Sequence, residues 1–188
     1  MNFEAAITKR IEALHLMSSR VNEIEQIVML VVRCLTTGGR LFFAGNGGSA
    51  AEAQHIAAEY VGRFRLERTS LPAIALTVDT SAITAIANDY GFESVFSRQL
   101  EALGAENDIL FVSSTSGNSL NLVELVHVAR RKGLQSVGFL GNSGGMLKSL
   151  VDHPVTVLGD ETAIIQEIHL MLGHFIVDRT EQELFSNA

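Results

Sequence analysis

Two side chains four positions apart open the chemical reading: His55 and Glu59, in the stretch GNGGSAAEAQHIAAE, residues 45–59. On a helix they share one face, separated by about one turn and a rise of ~6 Å, so both can meet a common metal ion or substrate. Taken alone, such a pair also describes a solvated histidine beside a surface acid, and a functional role needs partners elsewhere. The stretch IIQEIHLMLGHFIVD offers Gln166, Glu167, His169 and His174 among apolar residues, where unpaired polar groups are costly. Gln166 and His174 stand eight residues apart, about 12 Å along a helix, so one ion could take both only with side chains stretched toward each other, or with ligands drawn from two subunits.

Two further turns suit an anion or a sugar. SSTSGNS, residues 113–119, places four serines and a threonine around a glycine ahead of an amphipathic helix, a concentration of hydroxyl and backbone N–H donors suited to phosphate. Asn118 or Ser119 could also serve only as an ordinary helix cap. Gly45-Asn46-Gly47-Gly48-Ser49-Ala50 formally matches the dinucleotide pattern G-x-G-x-x-G/A. That reading fails downstream: position 65 falls in the basic linker GRFRLERTS, and the acid closing the next strand, Asp79, arrives more than 30 residues after Gly45.

The elements that must position these groups follow from periodicity. Apolar residues at Ile7, Ile11, Leu14, Met17, Val21, Ile24, Val28 and Val31 recur at helical spacing over residues 3–37. This segment either covers the domain or packs against another subunit. Five short apolar runs then read as strands, RLFFAG, LPAIALTVD, DILFVSS, QSVGFLG and HPVTVLG, with Pro72 and Pro154 near two of their starts. Helices are expected at about 48–62, 81–104 in two pieces broken near Tyr90-Gly91, 118–132, 143–151 and 162–184. The alternation predicts one α/β domain over residues 1–188: a three-layer α-β-α sandwich on a five-stranded, mainly parallel sheet. Ligands of such sheets sit beyond the carboxyl ends of the strands, which selects the loops GNGGS, TVDTS, SSTSGNS, LGNSGG and LGDET.

Composition sets the outer bounds. A chain of 188 residues that is 47% hydrophobic can bury one full core. The formal charge of -7 argues against a nucleic-acid surface. The single cysteine, Cys34, excludes an intrachain disulfide framework and reads as a buried, inert thiol. Residues 1–16 carry charges where a secretory signal needs an apolar segment, and no run approaches the ~20 apolar residues of a membrane span, so a soluble, cytoplasmic protein is expected.

The ordered set GNGGSAAEAQHIAAE, PAIALTVDTSAITAIANDYG, ANDYGFESVFSRQ, SSTSGNS and IQEIH…GH strongly resembles the phosphoheptose isomerases of the sugar isomerase (SIS) domain superfamily, over nearly the whole chain. The resemblance implies a flavodoxin-like fold and isomerisation of sedoheptulose 7-phosphate to D-glycero-D-manno-heptose 7-phosphate. It also implies a homotetramer with active sites between subunits, the amino-terminal helices (1–37) serving oligomerisation, and one zinc ion per subunit. Matched residue by residue, it implies His55, Glu59, Gln166 and His174 as metal ligands. Substrate contacts would come from Asn46, Gly47, Gly48, Glu59, Arg63, Asn88, Asp89, Ser114, Thr115, Ser116, Ser119 and Gln166, with Arg63 reaching toward a neighbouring subunit's site.

Moving a carbonyl between C2 and C1 requires removing a carbon-bound proton and returning it through a cis-enediol, tasks suited to a carboxylate and an imidazole. Glu59 is expected as the base and His174 as the shuttle between the two oxygens. A side chain held firmly by a metal is a poorer proton carrier, so the metal-bound and catalytic states of these residues would differ. The resemblance departs at Ile164, where relatives commonly carry an arginine. A non-enzymatic SIS protein that binds a replication-initiator partner, and an SIS isomerase for another sugar phosphate, are the rival readings.

Overall fold

The computed structural model describes residues 2–186. Helix α1 (Phe3–Met17) and helix α2 (Val21–Thr36), joined by a 3-10 turn, precede strand β1 (Leu41–Gly45). Helix α3 (Gly48–Val61), strand β2 (Ala73–Ala75), helices α4 (Thr80–Tyr90) and α5 (Ser97–Leu103), strand β3 (Ile109–Ser114), helix α6 (Leu120–Lys132), strands β4 (Gln135–Gly141) and β5 (His153–Val157), and helix α7 (Thr162–Phe185) complete the chain. All five strands pair in parallel in the order β2-β1-β3-β4-β5, the flavodoxin-like arrangement.

Alternation along the strands divides the core. Leu41 and Phe43 of β1, with Phe111, Phe139 and Val155, face a layer formed by α2, α3 and α7. Phe42 and Ala44, with Leu110, Val112 and Leu140, face α5, α6 and the turn at Leu147. Each strand thus presents successive side chains to opposite apolar layers, as a sheet covered on both sides requires. Cys34 is buried, and burial pushes its thiol up to about 11, consistent with an inert core residue.

Two expected elements differ in extent. The run LPAIALTVD yields only three paired residues, because β2 is an edge strand. Beyond Ala75 the chain leaves the sheet, and Thr77 binds the start of α3: its hydroxyl donates to the Ala50 carbonyl (3.3 Å) and its own carbonyl accepts from Gln54 (3.2 Å). The expected helix at 143–151 shrinks to a 3-10 turn at Met146–Ser149, since Gly144 and Gly145 both hold positive φ (88° and 54°), outside the right-handed helical region.

Helix α1 is lightly held. Asn2 caps it, accepting from the Ala5 N–H (2.9 Å), and only Met17 along it is buried. It is fastened to the start of α7 by charge: Lys9 pairs with Glu161, and Arg10 grips both oxygens of Glu167 at 2.6 and 2.7 Å. Phe3, Ile7, Ile11, Leu14 and Leu16 remain exposed. Among the described residues no helix is long and apolar enough to cross a membrane.

Candidate active site

The carboxyl edge of the sheet collects the polar loops. Helix α3 begins directly after the β1 turn and carries His55 and Glu59 outward on one face, with His55 Nε2 3.4 Å from Glu59 Oε1. Helix α7 runs alongside, and its Gly173 permits the approach: a Cβ there would meet Ile56 Cδ1 at 2.7 Å. The next residue, His174, thereby reaches its partner across the helix pair, and its Nε2 lies 2.9 Å from His55 Nε2, with the two rings edge to face. One ligand atom from each of His55, Glu59 and His174 falls within 4.8 Å of the others.

This donor set fits a divalent cation. Two imidazole nitrogens that face each other share at most one proton between them as neutral rings, and a carboxylate oxygen adds a third acceptor at the same point. Borderline ions such as zinc take imidazole and carboxylate ligands in this number. Burial lowers the His174 imidazole below the ordinary histidine value, His55 pushes the same way, and Glu59 opposes them. Gln166 lies about two turns earlier on α7, its amide packed over Gly48 so closely that a Cβ there would sit 2.6 Å from Gln166 Nε2. Gln166 therefore links the glycine turn to the triad's second helix. Ile164, where the resemblance expects an arginine, is buried in the core, and the positive charges at this end of α7 come from Lys9 and Arg10 of α1.

The turn before α3 is fixed by a residue that the sequence reading missed. Asn46 and Asn121 exchange amide hydrogen bonds, Asn46 Nδ2 to Asn121 Oδ1 at 2.9 Å and Asn121 Nδ2 to Asn46 Oδ1 at 2.8 Å. Asn121 is buried at the start of α6, so this pair ties the glycine turn to the hydroxyl loop. Nothing in LNLVEL marks Asn121, because an asparagine in a first helical turn is ordinary.

In the hydroxyl loop, Ser114 accepts from the Gly117 N–H (3.0 Å) and Ser116 from the Asn118 N–H (3.2 Å). Ser119 stands at the cap position of α6 yet makes no capping bond, and Asn118 turns away to accept from the Met146 N–H (3.0 Å). The plain helix-cap reading of these residues therefore fails, and the loop presents Thr115, Ser116 and Ser119 ahead of a helix amino terminus. Asn88 and Asp89 sit exposed at the far end of α4, bonded to each other at 2.8 Å, and among the described residues no hydrogen bond joins them to the triad. Arg63 is also exposed, 3.4 Å from Glu67.

Between the sheet, α3 and α7, Glu52, Ser113 and His169 line a narrow pocket of about 20 Å³ with Phe43, Phe111 and Phe139. Glu52 Oε2 and both His169 ring nitrogens are buried without a partner among the described residues. Burial drives the Glu52 carboxyl up to about 7, tempered by Ser49, and the His169 imidazole down to about 4.

Comparison with known proteins identifies the fold and the family. A family profile described as SIS domain matches residues 2–141. The phosphoheptose isomerase of Clostridium acetobutylicum is 47% identical over 165 residues, which is 88% of this chain and 84% of that protein. The solved phosphoheptose isomerase of Francisella tularensis superposes with a TM-score of 0.92 at 37% identity, covering 95% of this chain and 96% of that one. That of Neisseria gonorrhoeae gives 0.88 at 40% identity, with the same coverage. Fold, triad and similarity together make this chain a member of the phosphoheptose isomerases, sugar-phosphate isomerases built on the SIS domain.

Proposed function

We propose that the protein is a cytoplasmic isomerase converting sedoheptulose 7-phosphate to D-glycero-D-manno-heptose 7-phosphate, a precursor of the heptose in lipopolysaccharide or capsule. It works as a homotetramer with one zinc ion per subunit. The observation that carries this reading is the meeting of His55, Glu59 and His174 at one point between α3 and α7. Thr115, Ser116 and Ser119, with Ser114 shaping the turn, bind the phosphate. Asn46, Gly47 and Gly48 contribute further substrate contacts from the glycine turn, where Gly48 packs against Gln166.

Glu59 takes a proton from C1 of the ketose as the C2 carbonyl accepts electron density, which forms the cis-enediol. His174 moves the hydroxyl proton from O1 to O2, and Glu59 returns the carbon proton to C2, leaving the aldehyde at C1. His55, Glu59, Gln166 and His174 would hold the zinc, which when bound polarises the carbonyl and enediolate oxygens as a Lewis acid. Asn88, Asp89 and Arg63 are exposed and, among the described residues, make no hydrogen bond to the triad, and in this reading they serve sites shared between subunits. The exposed apolar stripe on α1 supports such an assembly.

Glu59→Gln is expected to lower kcat by roughly 10²–10⁴-fold, the usual contribution of a positioned base, with the oligomer unchanged by sedimentation. Full activity in that variant would remove Glu59 from its role. Chelation should abolish turnover and added zinc should restore it. A panel of heptulose, hexulose and pentulose phosphates then decides the substrate, since the loops address the phosphate and one end of the sugar.

A further inference from the structure

Glu181 lies two turns beyond His174 on α7, its side chain 1% exposed. Its carboxylate accepts from the backbone N–H groups of Phe64 (2.9 Å), Arg65 (2.8 Å) and Leu66 (3.0 Å), and from Arg68 Nε (2.8 Å). Arg68, 0% exposed, spends its remaining donors on carbonyls: Nη2 on Glu59 (2.8 Å) and Nη1 on Tyr60 (2.9 Å) and Thr69 (3.0 Å). With four donors on one carboxylate and no exposure, neither partner has capacity left for a ligand. The pair holds the protein itself.

What it holds is adjacent to the chemistry. The Phe64 ring lies nearly parallel to the His174 imidazole, with centroids 5.4 Å apart and planes 12° from parallel. The Arg65 guanidinium stands 5.4 Å from the centre of the same phenyl ring and pairs with Asp178, one turn beyond His174, at 3.3 Å. An anchor for the loop alone would need only the backbone N–H of residue 64, yet its ring is placed flat against the imidazole. We infer that the buried Arg68–Glu181 pair is a positioning device for the triad, fixing the ring plane of His174 through Phe64 and the end of α3 through the Glu59 carbonyl.

The inference rests on the metal-holding reading of the triad and is tested through cobalt(II), whose visible absorption reports ligand geometry without turnover. In the full-length protein, Phe64→Leu keeps an apolar side chain and the backbone N–H but loses the flat face. It should weaken cobalt affinity by about tenfold or more, as outer partners of metal ligands commonly do, and alter the absorption bands. It should also lower kcat at an unchanged KM, while Phe64→Tyr restores all three. Glu181→Gln should act in the same direction; should it fail to fold, the Phe64 series decides. A folded Phe64→Leu with wild-type affinity and spectrum overturns the device, as does a wild-type protein that takes up no divalent ion. A wild-type protein that binds cobalt with the expected responses but turns over no heptulose phosphate overturns the substrate assignment alone.

Discussion

Asn121 has no place in any motif, yet it holds the glycine turn before α3 through Asn46. Removing its amide leaves half-buried Asn46 without the partner that fixes its orientation, so Asn121→Ala should cost about 0.5–1.5 kcal/mol, the net range for a lost hydrogen bond. It should raise KM several-fold with a smaller change in kcat, as thermal unfolding and steady-state kinetics can check. Glu52 makes a second prediction. Its folded carboxyl, driven up to about 7 by burial from an ordinary value near 4.5, favours the protonated form more than the unfolded chain does. The folded state therefore binds the extra proton, and stability should fall as pH rises from about 4.5 through 7 and level off above. In Glu52→Gln that slope should flatten, measured by denaturant midpoints across the range. At this scale the sequence was legible where residue type and spacing coincide, as in His55 and Glu59. It was silent where an ordinary residue gains its role from a distant partner: Phe64, Arg68 and Glu181 look like linker and surface residues until α7 meets the loop after α3.

Helices α3 and α7 carry the triad between them, and their closeness depends on a missing side chain. Gly173→Ala would place a Cβ within 2.7 Å of Ile56, and relieving that overlap should cost about 1–3 kcal/mol. To the extent that the helices part rather than the Ile56 side chain turning aside, the distance between His55 and His174 should grow, and cobalt affinity should drop further than the stability loss alone accounts for. The Arg68–Glu181 pair fastens the same helices from the other side. Burial alone would raise the Glu181 carboxyl, but the N–H groups of Leu66, Phe64 and Arg65, together with Arg68, outweigh it and hold it below the usual carboxylate range. Its contribution is thus present above the ordinary carboxylate value and lost as pH falls through the depressed one. Glu181→Ala, which strands a buried arginine, should cost about 3–5 kcal/mol at neutral pH, with a smaller difference from wild type in acid. Periodicity located both helices within a residue or two. It could not show which pairs with which, since crossover contacts are set by the sheet order rather than by local pattern.

For the molecule as a whole, the alternation of apolar runs was enough to expect a five-stranded, mainly parallel sheet between two helical layers. The short edge strand and the lost helix after β4 escaped it, because one depends on pairing from a single side and the other on two glycines with left-handed backbones. The exposed stripe on α1 belongs to this scale too. A charge placed within it, as in Ile7→Asp with Ile11→Asp, should dissociate the proposed tetramer in sedimentation while leaving the chain folded, and activity should fall with the assembly if sites are shared.

The triad also joins distant parts of the chain, His55 and Glu59 on the third helix and His174 on the seventh. As the polypeptide leaves the ribosome, all five strands and six helices can be in place while α7 is still being made. Until it docks, Phe43, Phe111 and Phe139 lack the apolar layer that α7 supplies, and the ion has at most two of its ligands. In the proposed metal-holding reading, capture is therefore a late event of biogenesis, and a nascent chain stalled before residue 174 should retain the sheet yet fail to load.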